Sequence, residues 1–66
     1  MFGTIKRLVQ DRGFGFISGE NGSEYFFHRD QLRGGLAFET LKAGARVSFD
    51  SQEGPKGPRA ANIEPA

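Results

Sequence analysis

Phe14, Phe16, Phe26 and His28 have side chains whose types and spacing suit holding a flat ligand rather than breaking a bond. Successive side chains of a β-strand point to opposite faces, so Phe14 and Phe16 of the run Arg12-Gly-Phe-Gly-Phe-Ile17 share one face. Phe26 and His28 of Tyr25-Phe-Phe-His28 are paired in the same way. Between the runs lies Gly19-Glu20-Asn21-Gly22-Ser23, and Asn-Gly between two strand-like segments signals a hairpin. A loop of residues 19–23 sets Ser18 against Glu24, Ile17 against Tyr25, Phe16 against Phe26 and Phe14 against His28. Shortening the loop by one residue would set Phe16 against Tyr25 and mix the two faces, so the longer loop is expected.

Which face goes inward decides what the other one means. Gly13 and Gly15 leave room on the side of Ile17, Tyr25 and Phe27, where another layer could approach closely. If that side is the core, three phenylalanines and a histidine stand outside as a contiguous apolar patch, the usual mark of a binding surface. If not, the rings are simply core, the commoner fate of phenylalanine. Parity alone leaves both open. Exposed rings interspersed with basic groups suit nucleic acid above other ligands, because every base has a π-face and every nucleotide a phosphate.

Composition bounds the architecture that must position these residues. The chain of 66 residues reads as one domain, 1–66, able to hide only about 60% of its unfolded surface and therefore stable by a few kcal/mol. With 36% hydrophobic and 26% charged residues, and ten glycines and three prolines punctuating short runs, a small all-β barrel is expected rather than a helical bundle. There are no cysteines for a disulfide or thiolate metal site, and a single histidine gives acid–base or metal chemistry few partners. No enzyme activity, metal or cofactor is expected. No apolar run approaches the ~20 residues of a membrane span, and residues 1–8 are too short and interrupted for a signal peptide, so a cytoplasmic location without membrane contact is expected. A net charge of +1 means that any basic footprint is local. Lys6, Arg7, Arg12 and Arg29 gather around the aromatic runs, while Glu39, Asp50, Glu53 and Glu64 fall in the second half.

Residues 2–9 form a first strand in which neither parity set is cleanly apolar, which predicts a bulge near Arg7. Residues 10–13 supply a turn onto the second strand, and 29–32 can make one helical turn before Arg33-Gly34-Gly35 breaks it. Phe38, Leu41 and Ala45 have helical spacing but nothing caps them, so 36–44 reads as a long loop. Residues 45–51 alternate as a fourth strand and 54–58 turn the chain. Residues 59–63 form a short last strand, expected at an edge because Pro58 cannot donate to a ladder.

These runs resemble the two ribonucleoprotein motifs of the bacterial cold-shock proteins. The similarity extends to Gly3-Thr-Ile-Lys6, Phe38-Glu-Thr-Leu41, Gly44-Ala-Arg-Val-Ser-Phe49 and Gly57-Pro-Arg-Ala-Ala-Asn-Ile63. The resemblance implies a five-stranded antiparallel Greek-key β-barrel of the oligonucleotide-binding (OB) fold and binding of single-stranded RNA and DNA, with many members acting as RNA chaperones. It places the face of Phe14, Phe16, Phe26 and His28 outward. It adds Lys6, Phe38, Lys56 and Arg59 to the site, and assigns Ile5, Ile17, Tyr25, Phe27, Leu32 and Val47 to the core.

The chain departs from the family where that family carries aromatic platforms. Arg7 and Leu8 stand where Trp and Phe are usual, and Arg29 where an aromatic follows the histidine. A planar guanidinium can both stack on a base and pair with phosphate, so binding is expected to persist while leaning more on charge. Tyr25 and Phe27 replace valines, and the tyrosine hydroxyl needs a partner or a path to the barrel rim. Arg33, Lys42 and Arg46 are assigned to a solvated face. The chain is expected to be a monomer, and the competing reading is a small β-barrel interaction module that grips a peptide with the same aromatic patch. No residue separates RNA from DNA.

Overall fold

In the computed structural model, which describes residues 1–66, the elements are β1 (Phe2–Val9), β2 (Phe14–Gly19), β3 (Glu24–His28), a 3-10 turn (Arg29–Gln31), β4 (Arg46–Gly54) and β5 (Gly57–Pro65). The five strands form one sheet in the order β1-β2-β3-β5-β4 that closes into a barrel. Closure removes exposed sheet edges and leaves one inside to fill.

The β2–β3 hairpin has the register expected from the longer loop: Phe14 opposite His28, Phe16 opposite Phe26, Ile17 opposite Tyr25 and Ser18 opposite Glu24. Its inner face supplies Ile17, Tyr25 and Phe27 to a core completed by Ile5, Phe38, Leu41, Val47, Phe49, Ala60 and Ile63. Leu32 is half-buried against that cluster. The Tyr25 ring packs 5.0 Å from Phe49, and Asn21 Nδ2 donates to its hydroxyl at 3.0 Å, so the hairpin loop itself satisfies the buried tyrosine. Gly15 lets the neighbouring strand and the Phe27 ring close in, since a Cβ there would lie 2.6 Å from the Arg7 carbonyl oxygen and 2.9 Å from the ring.

The bulge falls in β1 between Ile5 and Arg7. Before it, Gly3 and Ile5 face the core; after it, Leu8 packs against the core and lies opposite Gly15. The extra residue lets two consecutive side chains, Lys6 and Arg7, both face solvent.

The last strand differs from the expectation in length and place. It spans Gly57–Pro65 and lies between β3 and β4, so it is no edge strand. Pro58 is tolerated because it sits at the start of the strand opposite Glu53 of β4, before β5 reaches β3 at Arg59. That β3–β5 pairing is parallel, whereas the other four are antiparallel. The fourth strand likewise runs on to Gly54, leaving Pro55-Lys56 as the tip of a tight hairpin. The segment 36–44 carries turns but no helix, with the Leu41 amide bonded to the Ala37 carbonyl at 3.0 Å.

The close approach at Gly15 carries a prediction. Gly15→Ala is expected to destabilise the barrel by about 1–3 kcal/mol through overpacking, read as a lower urea midpoint at unchanged slope.

Candidate nucleic-acid interface

Filling the barrel with Ile17, Tyr25 and Phe27 leaves Phe14, Phe16 and Phe26 on the outer surface, half-buried against one another. Their ring centroids are 5.9 Å (Phe14–Phe16), 5.3 Å (Phe14–Phe26) and 5.9 Å (Phe16–Phe26) apart, within the range of mutually attractive aromatic contacts. Each ring keeps its neighbours from collapsing and leaves part of its surface in water.

Register extends this cluster across four strands. Arg7 is opposite Phe16, Phe16 opposite Phe26, and Phe26 opposite Arg59, so an arginine occupies the register position at each end of an aromatic row. At strand spacing the row is about 14 Å long. The Arg59 guanidinium lies 5.4 Å from the Phe26 centroid, a cation–π arrangement that extends the flat surface toward the β4–β5 hairpin. There the hairpin tip walls an open groove of about 500 Å³ lined by Phe16, Phe26, Pro55, Lys56, Gly57, Pro58 and Arg59. A second, parallel row sets Val9, Phe14 and His28 side by side.

His28 is exposed, and its Nδ1 hydrogen-bonds the carboxylate of Asp30, the central residue of the 3-10 turn. That bond is the chief cause holding the Asp30 carboxyl below its ordinary value of 3.8; desolvation opposes it, and a backbone hydrogen bond and the nearby Arg33 add to it. No group of three or more His, Cys, Asp or Glu side chains converges on a common point.

Lys6, Arg12, Arg29 and Phe38 lie apart from the aromatic row. Lys6 Nζ turns to Glu24 at 2.6 Å, and Arg12 is exposed on the β1–β2 turn. Phe38 corrects the sequence-based expectation. It is 3% exposed and packs edge-on against Phe27, with its ring centroids 6.4 Å apart, so it serves the core here and offers no free stacking face. Phe38 belongs to the core cluster, and Arg29 lies over it from outside, its guanidinium 5.8 Å from the ring centroid while donating to Glu39 Oε1 at 3.1 Å. Gly13, at φ +73°, makes room for the Arg29 side chain, since a Cβ would lie 2.8 Å from Arg29 Cδ. Three features escaped sequence reading: the Pro55 and Pro58 groove wall, the Glu24 and Glu39 pairings, and the Asp30 bond. For the groove a signal existed, because Pro55-Lys56 flanked by glycines is a two-residue hairpin loop.

A closed five-stranded barrel bearing clustered rings and arginines on its outer sheet defines an OB-fold protein with a nucleic-acid-binding face. The chain belongs to the cold-shock domain family: the profile of the 'Cold-shock' DNA-binding domain matches residues 1–66. It is 41% identical over 63 residues to Cold shock protein 2 of Lactiplantibacillus plantarum, covering 96% of this chain and 94% of the relative. It is 46% identical over 61 residues to the Major cold shock protein of Streptococcus pyogenes serotype M1 (92% and 90% covered), and 41% identical over 64 residues to Cold shock protein CspC of Bacillus subtilis (97% and 96%). Among solved structures, drosophila Unr CSD456 superposes with a TM-score of 0.74 over 98% of this chain and 26% of that one; at 22% identity the likeness concerns the fold alone. Nucleic-acid binding of the cold-shock type follows from family and surface together. No helix is long and apolar enough to cross a membrane.

The Asp30 bond sets the second prediction. A carboxyl whose folded pKa is depressed adds stability above its unfolded pKa and loses it as pH falls through the lowered folded value. Carboxyl NMR is therefore expected to place the Asp30 midpoint below 3.8, with His28→Ala returning it upward. The part of acid destabilisation due to Asp30 then shrinks in that variant, the backbone hydrogen bond and Arg33 still acting on the carboxyl.

Proposed function

We propose that residues 1–66 act as one domain that binds single-stranded RNA and DNA, laying successive bases on Phe14, Phe16 and Phe26. His28 borders the platform at Phe14, and Arg7, Arg12, Lys56 and Arg59 meet the phosphates, with Lys6 and Arg29 at the margins. The observation that carries this is the row Arg7–Phe16–Phe26–Arg59, in which flat rings lie between two groups able to stack and to pair with phosphate. Single strands are favoured over duplex because stacking on a protein ring needs a base face that duplex stacking hides. Sequence preference is modest, as every base has such a face, and a strand of about six or seven nucleotides fits the surface, within the ~4–16 of such folds.

The protein acts as a monomeric RNA chaperone in the bacterial cytoplasm, keeping strands open by occupying their bases. The reading is supported by relatives that are bacterial cold shock proteins. It assigns no catalytic role to the site.

A labelled oligothymidine of about seven nucleotides tests it, since the chain has no tryptophan reporter. Phe16→Ala and Phe26→Ala are each expected to weaken binding by about 1–3 kcal/mol, roughly 5- to 150-fold, while duplex DNA competes poorly. Unchanged affinity after replacing Phe14, Phe16 and Phe26 together would overturn it. So would a wild-type protein that ignores oligonucleotides, as a peptide-binding barrel does.

A further inference from the structure

Two salt bridges and one histidine–carboxylate hydrogen bond each tie a candidate ligand-binding group to one of the protein's own carboxylates. Lys6 is held by Glu24 at 2.6 Å, His28 by Asp30, and Arg29 by Glu39 at 3.1 Å. The carboxylates come from three places: the start of β3, the 3-10 turn and the loop after it. Arg7, Arg12, Lys56 and Arg59 have no such partner. We propose that Glu24, Asp30 and Glu39 are internal stand-ins for phosphate, which occupy Lys6, His28 and Arg29 in the free protein and are displaced by the nucleic-acid backbone.

Carboxylate and phosphate oxygens accept the same charge-assisted hydrogen bonds from ammonium, imidazole and guanidinium groups, so one can replace the other. All six side chains in these pairs are about half exposed or more, and exposed pairs are weak enough for a polyanion to break. Displacement costs little, but it must be met at each pair. The three carboxylates therefore lower affinity and limit how much of it comes from charge.

Arg29 couples this exchange to the aromatic surface. Its guanidinium is held over Phe38 partly by Glu39, and the ring beneath is nearly sealed. A phosphate that takes Arg29 from Glu39 loosens the cap and frees a ring edge next to the strand. Glu39 is thus an affinity-determining residue that touches no ligand.

The inference rests on the nucleic-acid reading and has its own salt signature. Binding to single strands falls with log salt at a slope of about −0.7 per phosphate neutralised. Counting Lys6, Arg7, Arg12, Arg29, Lys56 and Arg59 gives a slope of about −4, whereas the unpartnered Arg7, Arg12, Lys56 and Arg59 alone give about −3. An internal carboxylate released from its cation remains beside the strand and cancels the gain.

The test measures oligothymidine affinity between 50 and 200 mM salt for E24Q, D30N, E39Q and their combination. E64Q, an exposed acid outside these pairs, controls for net charge. Each paired-site variant is expected to bind roughly 2- to 5-fold tighter at low salt, and the combination to steepen the slope from about −3 toward −4. E64Q is expected to change affinity by less than about 2-fold. Equal tightening by E64Q overturns the proposal, because net charge then explains everything. Unchanged or weaker binding by the combined variant overturns it while leaving the nucleic-acid reading intact, whereas failure of the wild type to bind overturns both.

Discussion

A closed barrel has one inside, and a strand delivers alternate residues to it; the rest of the structure depends on that constraint. The β2–β3 hairpin carries aromatic side chains on both faces, more than the interior can take. Ile17, Tyr25 and Phe27 fill it together with Phe49 and Ile63, and pairing forces Phe14, Phe16 and Phe26 to the other side. Their exposure is a consequence of parity once the inner set is chosen. Glycine makes the choice, because Gly15 gives the Arg7 backbone and the Phe27 ring their approach on the inner face. A side chain there would push apart β1 and β2, whose pairing brings Arg7 to the aromatic row.

The bulge in β1 links that packing to charge. A regular strand would bury one of Lys6 and Arg7, and a buried unpaired cation is costly. One extra residue moves the inward parity from Ile5 to Leu8 and leaves both cations in water. It also carries Arg7 into line with Phe16, so a planar group that bears a charge stands opposite the ring.

Much of this was legible because it followed from local rules. Alternation and the Asn21-Gly22 turn set the register of β2 and β3, and mixed parity around Lys6 and Arg7 announced the bulge. The same rules failed where tertiary partners decide. Pro58 suggested an edge strand, but a missing donor matters only where a neighbour needs it, and β5 meets β3 beyond that point. Resemblance puts Phe38 on the binding face; the structure packs it into the core against Phe27 with Arg29 above it, a set of tertiary contacts that no local pattern encodes. The outward direction of the rings was likewise undecidable from parity and needed either a family likeness or the filled core.

Arg29 joins two parts of the margin, its guanidinium lying over the buried Phe38 ring while it bonds Glu39. The free protein therefore presents a compact platform of three rings and holds Lys6 and Arg29 in internal pairs. Stacking is short-ranged and indifferent to salt, whereas pairing with phosphate reaches farther and weakens as salt rises. In the proposed binding mode, base stacking on the central rings decides whether a strand stays, and charge orients it on arrival.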